Sequence, residues 1–203
     1  MSNLLEHNTE SNATQQTLLQ ELIHTRRTHF QFLDKPLPEG ALDRALAAAH
    51  WAPNHKRTFP WRFMIPGPQM QAQLVEYFAQ KLQRKLENRG MPAAEIPDMI
   101  LKSRARQEKM PLQIIVYSTQ TGNAHQNQED YASTCCAIQN LTLALWSEGI
   151  ASGWKTFDNP EAYALTGLNP EEHLLVGLIQ AGFPRCESIG RRPPLENHII
   201  HTA

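Results

Sequence analysis

Residues 130–148 read DYASTCCAIQNLTLALWSE, and Gly149 follows them as a natural helix stop. Apolar side chains recur along one face of this stretch at helical spacing, and Leu143 and Trp146 widen the apolar surface. A helix that is apolar over so much of its circumference needs burial on more than one side. The stretch therefore predicts a long helix in the core or at a subunit interface.

Shorter elements are predicted on both sides of this central helix. Helical periodicity indicates further helices at residues 17–26, 39–52, 69–89 and 98–109, and another that starts at Asn159 and Pro160. Short apolar runs indicate strands at residues 61–65, 114–117 and 174–181. Neither G-x-G-x-x-G after a strand nor G-x-x-x-x-G-K occurs. We therefore expect an α+β layout rather than a doubly wound Rossmann sheet.

The length and charge of the chain limit the functions that are open to it. At 203 residues it has the size of one domain. The polar residues 1–16 are predicted to be a flexible N-terminal extension of a single domain at 17–203, or an arm that lies on a partner. The formal net charge of −1 offers no overall field for nucleic acid or an anionic membrane. Basic residues gather between Lys81 and Lys109, but acids interrupt them, which favours a solvated helical face.

The cysteine content and the apolar runs favour a reduced, cytoplasmic protein. Three cysteines do not make a disulfide framework, and the neighbours Cys135 and Cys136 point to different sides of a helix, where we expect both to be buried. No apolar run is long enough to span a bilayer, and no signal peptide is evident. Since H-E-x-x-H and C-x-x-C are both missing from the sequence, no metal site is expected.

Two neighbouring arginines, Arg26 and Arg27, stand with Thr28 at the end of the first predicted helix. Guanidinium groups donate in a rigid fork that suits phosphate oxygens, and Thr28 adds a hydroxyl donor. The same arginines could instead satisfy the last carbonyls of the helix, where cations complement the helix dipole. The sequence leaves both interpretations open.

A stiff, polar loop with aromatic residues follows at residues 52–63. Pro53 and Pro60 limit its backbone freedom, and residues 54–57 supply polar groups. Trp51, Phe59 and Trp61 supply aromatic walls, so the loop is suited to a planar cofactor. The alternative is a surface loop whose Trp61 packs, with Phe63, in the core.

These motifs, taken in order, resemble the nitroreductase-like flavoproteins, and especially their minimal bacterial YdjA-type subgroup. The resemblance covers roughly residues 18–200, and its remaining motifs are Gln139-Asn140-Leu141, Gly149-Ile150-Ala151-Ser152-Gly153-Trp154-Lys155-Thr156 and Arg191-Arg192-Pro193. Two positions depart from the family pattern. Thr28 stands where the family often has Ser, and Phe59 stands where it often has Gln or Asn, which leaves the substrate preference open.

The resemblance implies a central mixed β-sheet flanked by helices, in an intertwined homodimer with FMN at the subunit interface. It implies that Arg26, Arg27 and Thr28 hold the phosphate and ribityl chain, and that Arg192 completes the phosphate clamp. Trp154, Lys155 and Thr156 would line the flavin ring. Trp51, through its backbone, and His55, reaching across from the other subunit, would edge the pocket.

The function implied is an FMN-dependent NAD(P)H oxidoreductase that passes hydride through flavin N5 to a nitroaromatic, quinone or similar acceptor, with ping-pong kinetics. Since the flavin carries the hydride, no catalytic side chain is assigned. Two alternatives stay open. One is a flavin-binding protein with a sensing, storage or flavin-supply role, and the other is a helical interaction protein in which these motifs are structural.

Overall fold

The structure, a computed structural model, describes residues 9–202, with side chains from residue 15. Six helices and four strands alternate irregularly along the chain: α1 Thr9–Thr25, α2 Ala41–His50, β1 Trp61–Met64, α3 Pro68–Asn88, α4 Ile96–Glu108, β2 Leu112–Thr119, α5 Ala124–Ser147, β3 Ala151–Lys155, α6 Pro160–Thr166 and β4 His173–Gly182. Single 3₁₀ turns occur at His55–Arg57 and Leu195–His198. The predicted α+β layout is confirmed.

The four strands form one sheet in the order β1-β2-β4-β3, and their pairings are all antiparallel. Within residues 9–202, the parallel component of the sheet is a single isolated bridge between Thr28 and Ser152. This bridge attaches the segment that follows α1 to the outer edge of β3. The edge strand β3 is therefore covered along part of its length.

Both faces of the sheet are buried, because β2 alternates its apolar side chains between two clusters. Ile114 and Val116 pack with α2 and α5 in the larger cluster. Ile115 points to the opposite face and packs with Leu74 and Phe78 of α3 in the smaller cluster. The protein thus consists of three layers, and α5 crosses the middle of one outer layer.

The central helix α5 begins six residues before the predicted position. Asn123 acts as its N-cap, since the Asn123 Oδ1 atom accepts a hydrogen bond of 3.1 Å from the backbone N–H of Gln126. The other end of α5 is tied to α1, because the Trp146 Nε1–H donates to Thr25 Oγ1 at 3.0 Å. Asn159 caps α6 as predicted, and Pro160 is its first residue.

Two sequence-based expectations need correction, while the N-terminal extension at residues 1–16 stays a prediction. Helix α1 begins at Thr9, inside this predicted extension, although Thr, Ser and Asn are weak helix formers and the segment lacks an apolar stripe. Residues 1–8 of the predicted extension lie outside the described residues. Strand β3 was not predicted, because Ala-Ser-Gly-Trp-Lys has low β-propensity. Cys135 is half-buried and Cys136 is exposed, so the expectation that both are buried was wrong.

We expect Asn123→Ala to lower the free energy of unfolding by about 1 kcal/mol, because the helix loses its N-cap acceptor. Thermal unfolding followed by circular dichroism measures the effect. The exposed Gln128 lies on the same helix and serves as a control, since Gln128→Ala removes no cap. Equal losses in the two variants would contradict the capping role.

Candidate functional site

Three guanidinium groups, those of Arg26, Arg27 and Arg192, form a cluster at the end of α1. Burial lowers the pKa of Arg26, and the positive charges of Arg192 and Arg27 lower it further. Across residues 15–202, none of the three forms an ion pair with an acidic side chain. Like charges held together without an acid repel one another, so the guanidinium cluster has the chemistry that suits an anion.

The structure distinguishes Arg26 from Arg27, for both of which the sequence left helix capping and anion binding open. Arg27 turns back on the helix, where its Nη1 donates to the carbonyl oxygens of His24 at 2.5 Å and Arg26 at 2.9 Å. Arg27 therefore acts as a helix cap. Within the described residues, Arg26 forms no side-chain hydrogen bond of this kind, which leaves its guanidinium available to an anion.

Gly190 provides room for the guanidinium cluster. A Cβ atom at this position would lie 2.2 Å from Arg27 Nε and 2.7 Å from Arg27 Cζ. The backbone of the C-terminal segment therefore approaches Arg27 closely at residue 190, where a side chain would require the Arg27 guanidinium to shift. This approach helps to bring the following residues, including Arg192, to the end of α1.

The segment after Arg27 runs beside β3. Thr28 forms the parallel bridge with Ser152, and the His29 N–H donates to the Ser152 carbonyl oxygen at 3.0 Å. Phe30 then packs directly over Gly153, where a Cβ atom would lie 2.3 Å from the Phe30 ring. An extended chain covers about 3.3 Å per residue, so Arg26 and Phe30 can be up to about 13 Å apart along this edge.

At the far end of this edge, helices α3 and α4 and strand β3 border an open pocket of about 500 Å³. We call it the cationic pocket. Its aromatic lining residues are Phe30, Phe78 and Trp154, and its basic lining residues are Lys81, Lys85, Arg106 and Lys155. No acidic residue lines it among those that the structure describes. A pocket with apolar walls and a few fixed polar groups is typical of sites for small planar ligands.

Lys155 is the most perturbed titratable group of the cationic pocket. Its Nζ atom lies 4.5 Å from the ring centroid of Phe78 and 5.2 Å from that of Phe30. Burial lowers the pKa of Lys155 to about 8, with smaller contributions from the charges of Arg106 and Lys81. The cation is stabilised by the two ring faces but has lost much of its hydration.

The neighbours of Lys155 are held by backbone contacts. The Trp154 Nε1–H donates to the Val176 carbonyl oxygen at 3.1 Å, and the indole lies over Gly177. The carbonyl oxygen of Thr156 accepts a hydrogen bond of 3.2 Å from Lys81 Nζ. Residues 154–156 all line the cationic pocket, as they would if they contacted a bound ring.

Trp51 and His55 lie elsewhere in the chain. Trp51 ends α2 with 86% of its surface exposed, and His55 Nε2 lies 3.9 Å from Glu129 Oε1, near the start of α5. The guanidinium cluster adjoins Trp146, at the other end of α5. Positions 129 and 146 are seventeen positions apart on α5, so the distance between them along the helix axis is about 25 Å. A single chain therefore does not bring His55 to the guanidinium cluster.

Comparison with known proteins identifies the family. The protein-family model described as "Nitroreductase family" matches residues 23–182, which is most of the chain. This chain belongs to the nitroreductase family. It is 27% identical over 196 residues to YfhC of Bacillus subtilis (strain 168), provisionally named an NAD(P)H nitroreductase, covering 90% of this chain and 93% of YfhC.

Solved structures of other nitroreductases share this fold. A nitroreductase-like family protein from Bacillus cereus superposes with a TM-score of 0.74 at 25% identity, covering 100% of this chain and 98% of its own. A protein from Desulfovibrio desulfuricans, provisionally named a nitroreductase and solved in complex with FMN, gives a TM-score of 0.66 at 17% identity. It covers 91% of this chain and 96% of its own.

The loop at residues 52–63 is fixed to α5. The Phe59 N–H donates to Asn54 Oδ1 at 2.7 Å, and the Thr58 hydroxyl donates to Asp130 Oδ1 at 2.5 Å. These bonds hold Phe59 at a φ of 46°, a strained value for a residue with a side chain. Phe59 stacks on His50 and does not line the cationic pocket. Trp61 is buried and Phe63 packs against the core, as the alternative interpretation held.

Sequence reasoning missed the contribution of α3 and α4 to the candidate site. Basic residues between Lys81 and Lys109 were expected to form a solvated face, and Lys102 and Arg104 do pair with acids on the surface. Lys81, Lys85 and Arg106 also line the cationic pocket, although Lys85 and Arg106 are exposed. The i, i+4 spacing of Lys81 and Lys85 was the available signal, since it places two like charges on one helix face.

Replacing Lys155 with Met should stabilise the protein at neutral pH and raise its Tm by roughly a few degrees. The folded-state pKa of Lys155 is about 8, below its ordinary value of 10.5, so the cost of the buried charge is fully present below pH 8. Between pH 8 and 10.5 the folded state loses this proton first, and the wild type gains stability. The advantage of Lys155→Met should therefore shrink across this range in thermal unfolding experiments.

The exposed Lys102, paired with Asp98, provides the control. Lys102→Met should change stability little, because a surface ion pair contributes only about 0–1 kcal/mol. A difference between Lys155→Met and wild type that stayed constant from pH 7 to 10.5 would contradict the burial of this charge.

Proposed function

We propose that this protein is an FMN-dependent oxidoreductase that uses NAD(P)H to reduce a nitroaromatic, quinone or similar acceptor. The observation that carries the proposal is the arrangement along one edge of β3. An acid-free guanidinium cluster lies at one end of the edge, and an aromatic, cationic pocket lies at the other. A ligand with a phosphate at one end and a planar ring at the other fits this order.

The residues at the phosphate end fit FMN by their donors. Arg26 is free of acids and of helix carbonyls among the described residues, and Arg192 lies close enough to repel it. A phosphate between the two would relieve this repulsion and would accept charge-assisted hydrogen bonds from both. Thr28 follows with a hydroxyl that can bond the ribityl chain, and Arg27 contributes its charge from the helix cap.

The residues at the ring end fit a planar group by their shape and charge. Trp154, Lys155 and Thr156 would contact the ring, with Phe30 packed over Gly153 as one wall. When bound, FMN supplies the redox chemistry by accepting a hydride from NAD(P)H and passing it to the acceptor. The positive charge of Lys155 would favour negative charge in the pocket.

The net reaction needs only the reductant, the acceptor and protons. With a quinone, NAD(P)H is oxidised to NAD(P)⁺, and its hydride together with one proton yields the hydroquinone. Because reductant and acceptor would share the cationic pocket at the ring end, they would bind in turn, which gives ping-pong kinetics. The FMN complex of the Desulfovibrio desulfuricans protein and the name of YfhC support this assignment. The free thiols of all three cysteines support the predicted cytoplasmic compartment.

The proposal includes a homodimer whose two FMN sites lie at the subunit interface. Helix α1 exposes Leu18, Leu19 and Ile23, each with about half of its surface accessible, and Trp51 is almost fully exposed. Exposed apolar patches of this kind mark protein–protein contacts. A two-fold axis that pairs antiparallel α5 helices would bring the His55 loop of one chain to the guanidinium cluster of its partner. The distance of about 25 Å along α5 favours this arrangement over a site within one chain.

The first experiment tests the flavin and the reductase activity together. The purified protein should be yellow and should retain FMN, and anaerobic addition of NADH or NADPH should bleach the flavin absorbance. A colourless protein that does not bind added FMN would refute flavin binding. Flavin that stays oxidised with both reductants would instead favour the sensing, storage or supply role.

Removal of the Arg26 guanidinium should weaken FMN binding by about tenfold or more, since a charge-assisted hydrogen bond to phosphate is lost. Fluorescence titration of the apoprotein with FMN measures the dissociation constant for Arg26→Ala. The matched control is Arg104→Ala, because Arg104 pairs with Glu76 at 2.6 Å on the surface. Equal effects of the two substitutions would remove the phosphate role of Arg26.

Complementation between two variants tests the shared site. Arg26→Ala and His55→Ala should each bind FMN more weakly as homodimers. In a mixed dimer, one site carries both substitutions and the other carries neither, so half of the sites should recover wild-type affinity. Affinity that does not recover when the two chains are refolded together would show that each site is built from a single chain.

A further inference from the structure

Four basic side chains line the cationic pocket without an acidic partner. Across residues 15–202, Lys81, Lys85, Arg106 and Lys155 form no ion pair. Neighbouring cations of the same two helices are paired. Arg84 of α3 lies 2.7 Å from Glu161, and Lys102 and Arg104 of α4 lie 2.6 Å from Asp98 and Glu76. The unpaired charges of α3 and α4 named here thus face one cavity.

The uncharged polar groups of the cationic pocket are also able to donate. The Gln107 Oε1 atom already accepts a hydrogen bond of 2.7 Å from the buried Gln180, so Gln107 offers the pocket its NH₂ group. Ser103, which is 3% exposed, and Thr156 add hydroxyl groups. An arrangement of donors and cations without a carboxylate is complementary to an anion.

The charges lie close enough to affect one another. Arg106 and Lys81 both oppose protonation of Lys155, which is packed between the rings of Phe78 and Phe30. This repulsion weakens the folded state while no anion is bound, and a bound anion would offset it. Perturbed cations that converge on a cavity are a feature of functional sites more than of solvated surfaces.

We propose that the cationic pocket selects an acceptor that carries an anionic group, namely a planar aromatic oxidant with a carboxylate substituent. This proposal rests on the proposed function, since it names the substrate class of the same site. Phe78 contacts the aromatic ring of the acceptor, since Phe30 and Trp154 are assigned to the flavin ring. Arg106 and Lys85 bind the carboxylate, because the guanidinium fork of Arg106 matches its two oxygens.

The position of the cations favours the acceptor over the reductant as the anion. The cationic pocket places basic side chains directly beside its aromatic walls, so a carboxylate on a bound aromatic ring can reach them. A pyridine dinucleotide also carries anionic groups, but a ribose separates its diphosphate from the nicotinamide ring. The FMN phosphate is assigned to Arg26 and Arg192 at the other end of the β3 edge, so it does not neutralise these four cations.

Binding experiments with a matched pair of ligands test the charge selection without any redox step. Benzoate and benzamide have nearly the same shape and differ by one charge. We expect the FMN-loaded wild type to bind benzoate at least about tenfold more tightly than benzamide in isothermal titration calorimetry. Equal affinities for the two ligands would overturn the proposal.

Two substitutions locate the selecting charge. Arg106 and Lys85 are both exposed. Arg106→Gln should reduce the benzoate preference by about tenfold, because the guanidinium fork binds both carboxylate oxygens, and Lys85→Gln should reduce it less. Lys102→Gln is the control, since Lys102 is one turn from Arg106 and faces Asp98. An equal loss of preference in Lys102→Gln would indicate a general charge effect and would overturn the assignment. If Arg106→Gln does not fold, the benzoate preference of Lys85→Gln decides the assignment, and an unchanged preference there would overturn it.

Steady-state kinetics then separate the acceptor from the reductant. The KM for 4-nitrobenzoate should rise about tenfold in Arg106→Gln, while the KM for 4-nitrobenzamide and for NAD(P)H should stay close to the wild-type values. A rise confined to the KM for NAD(P)H would assign the cations to the reductant and overturn the proposal. Failure of the flavin to be reduced is a different result, because it refutes the reductase function and leaves the benzoate titration to decide the charge selection.

Discussion

The bridge between Thr28 and Ser152 is the contact on which the candidate site depends. Without it, the chain that leaves α1 could depart from the sheet in any direction, and the guanidinium cluster would have no fixed relation to β3. With it, Thr28, His29 and Phe30 follow the edge strand in register. Gly153 permits this approach because any Cβ atom there would collide with His29 and Phe30. A backbone contact thus sets the spacing between the two charged ends of the site.

Helix α5 sets the second constraint, because its two ends hold two different segments with candidate site residues. The Trp146 end holds the segment that carries Arg26, and the Glu129 end holds the loop that carries His55. The loop keeps strained backbone angles, which are offset by the hydrogen bonds that Asn54 and Asp130 accept. A loop held this firmly presents the exposed His55 side chain in a fixed position. The proposed partner chain would meet it there.

Sequence reasoning found the residues with local signals and missed those that depend on tertiary approach. Helix α5 was predictable because its apolar surface is wide, and α6 because Asn159 and Pro160 are adjacent. Arg26 and Arg27 were found as a pair, but their separate roles depend on which guanidinium turns back toward His24. Strand β3 forms because it pairs with β4 and with the segment at Thr28. No local sequence pattern encodes these pairings. Arg106 joins Lys81 and Lys85 only because α3 and α4 pack side by side.

The two ends of the site use different cations, and the difference has a physical consequence. Arginine keeps its proton at every working pH, so burial of Arg26 beside Arg192 does not cancel its charge. Lysine gives up its proton more readily in an apolar environment, and Lys155, between two phenyl rings, has a pKa of about 8. The phosphate end therefore holds a fixed charge, which suits a permanent ligand. At the ring end, the charge of Lys155 depends on what the cationic pocket binds. An anion in the pocket would raise the pKa of Lys155, and the more fully protonated lysine would in turn attract the anion more strongly.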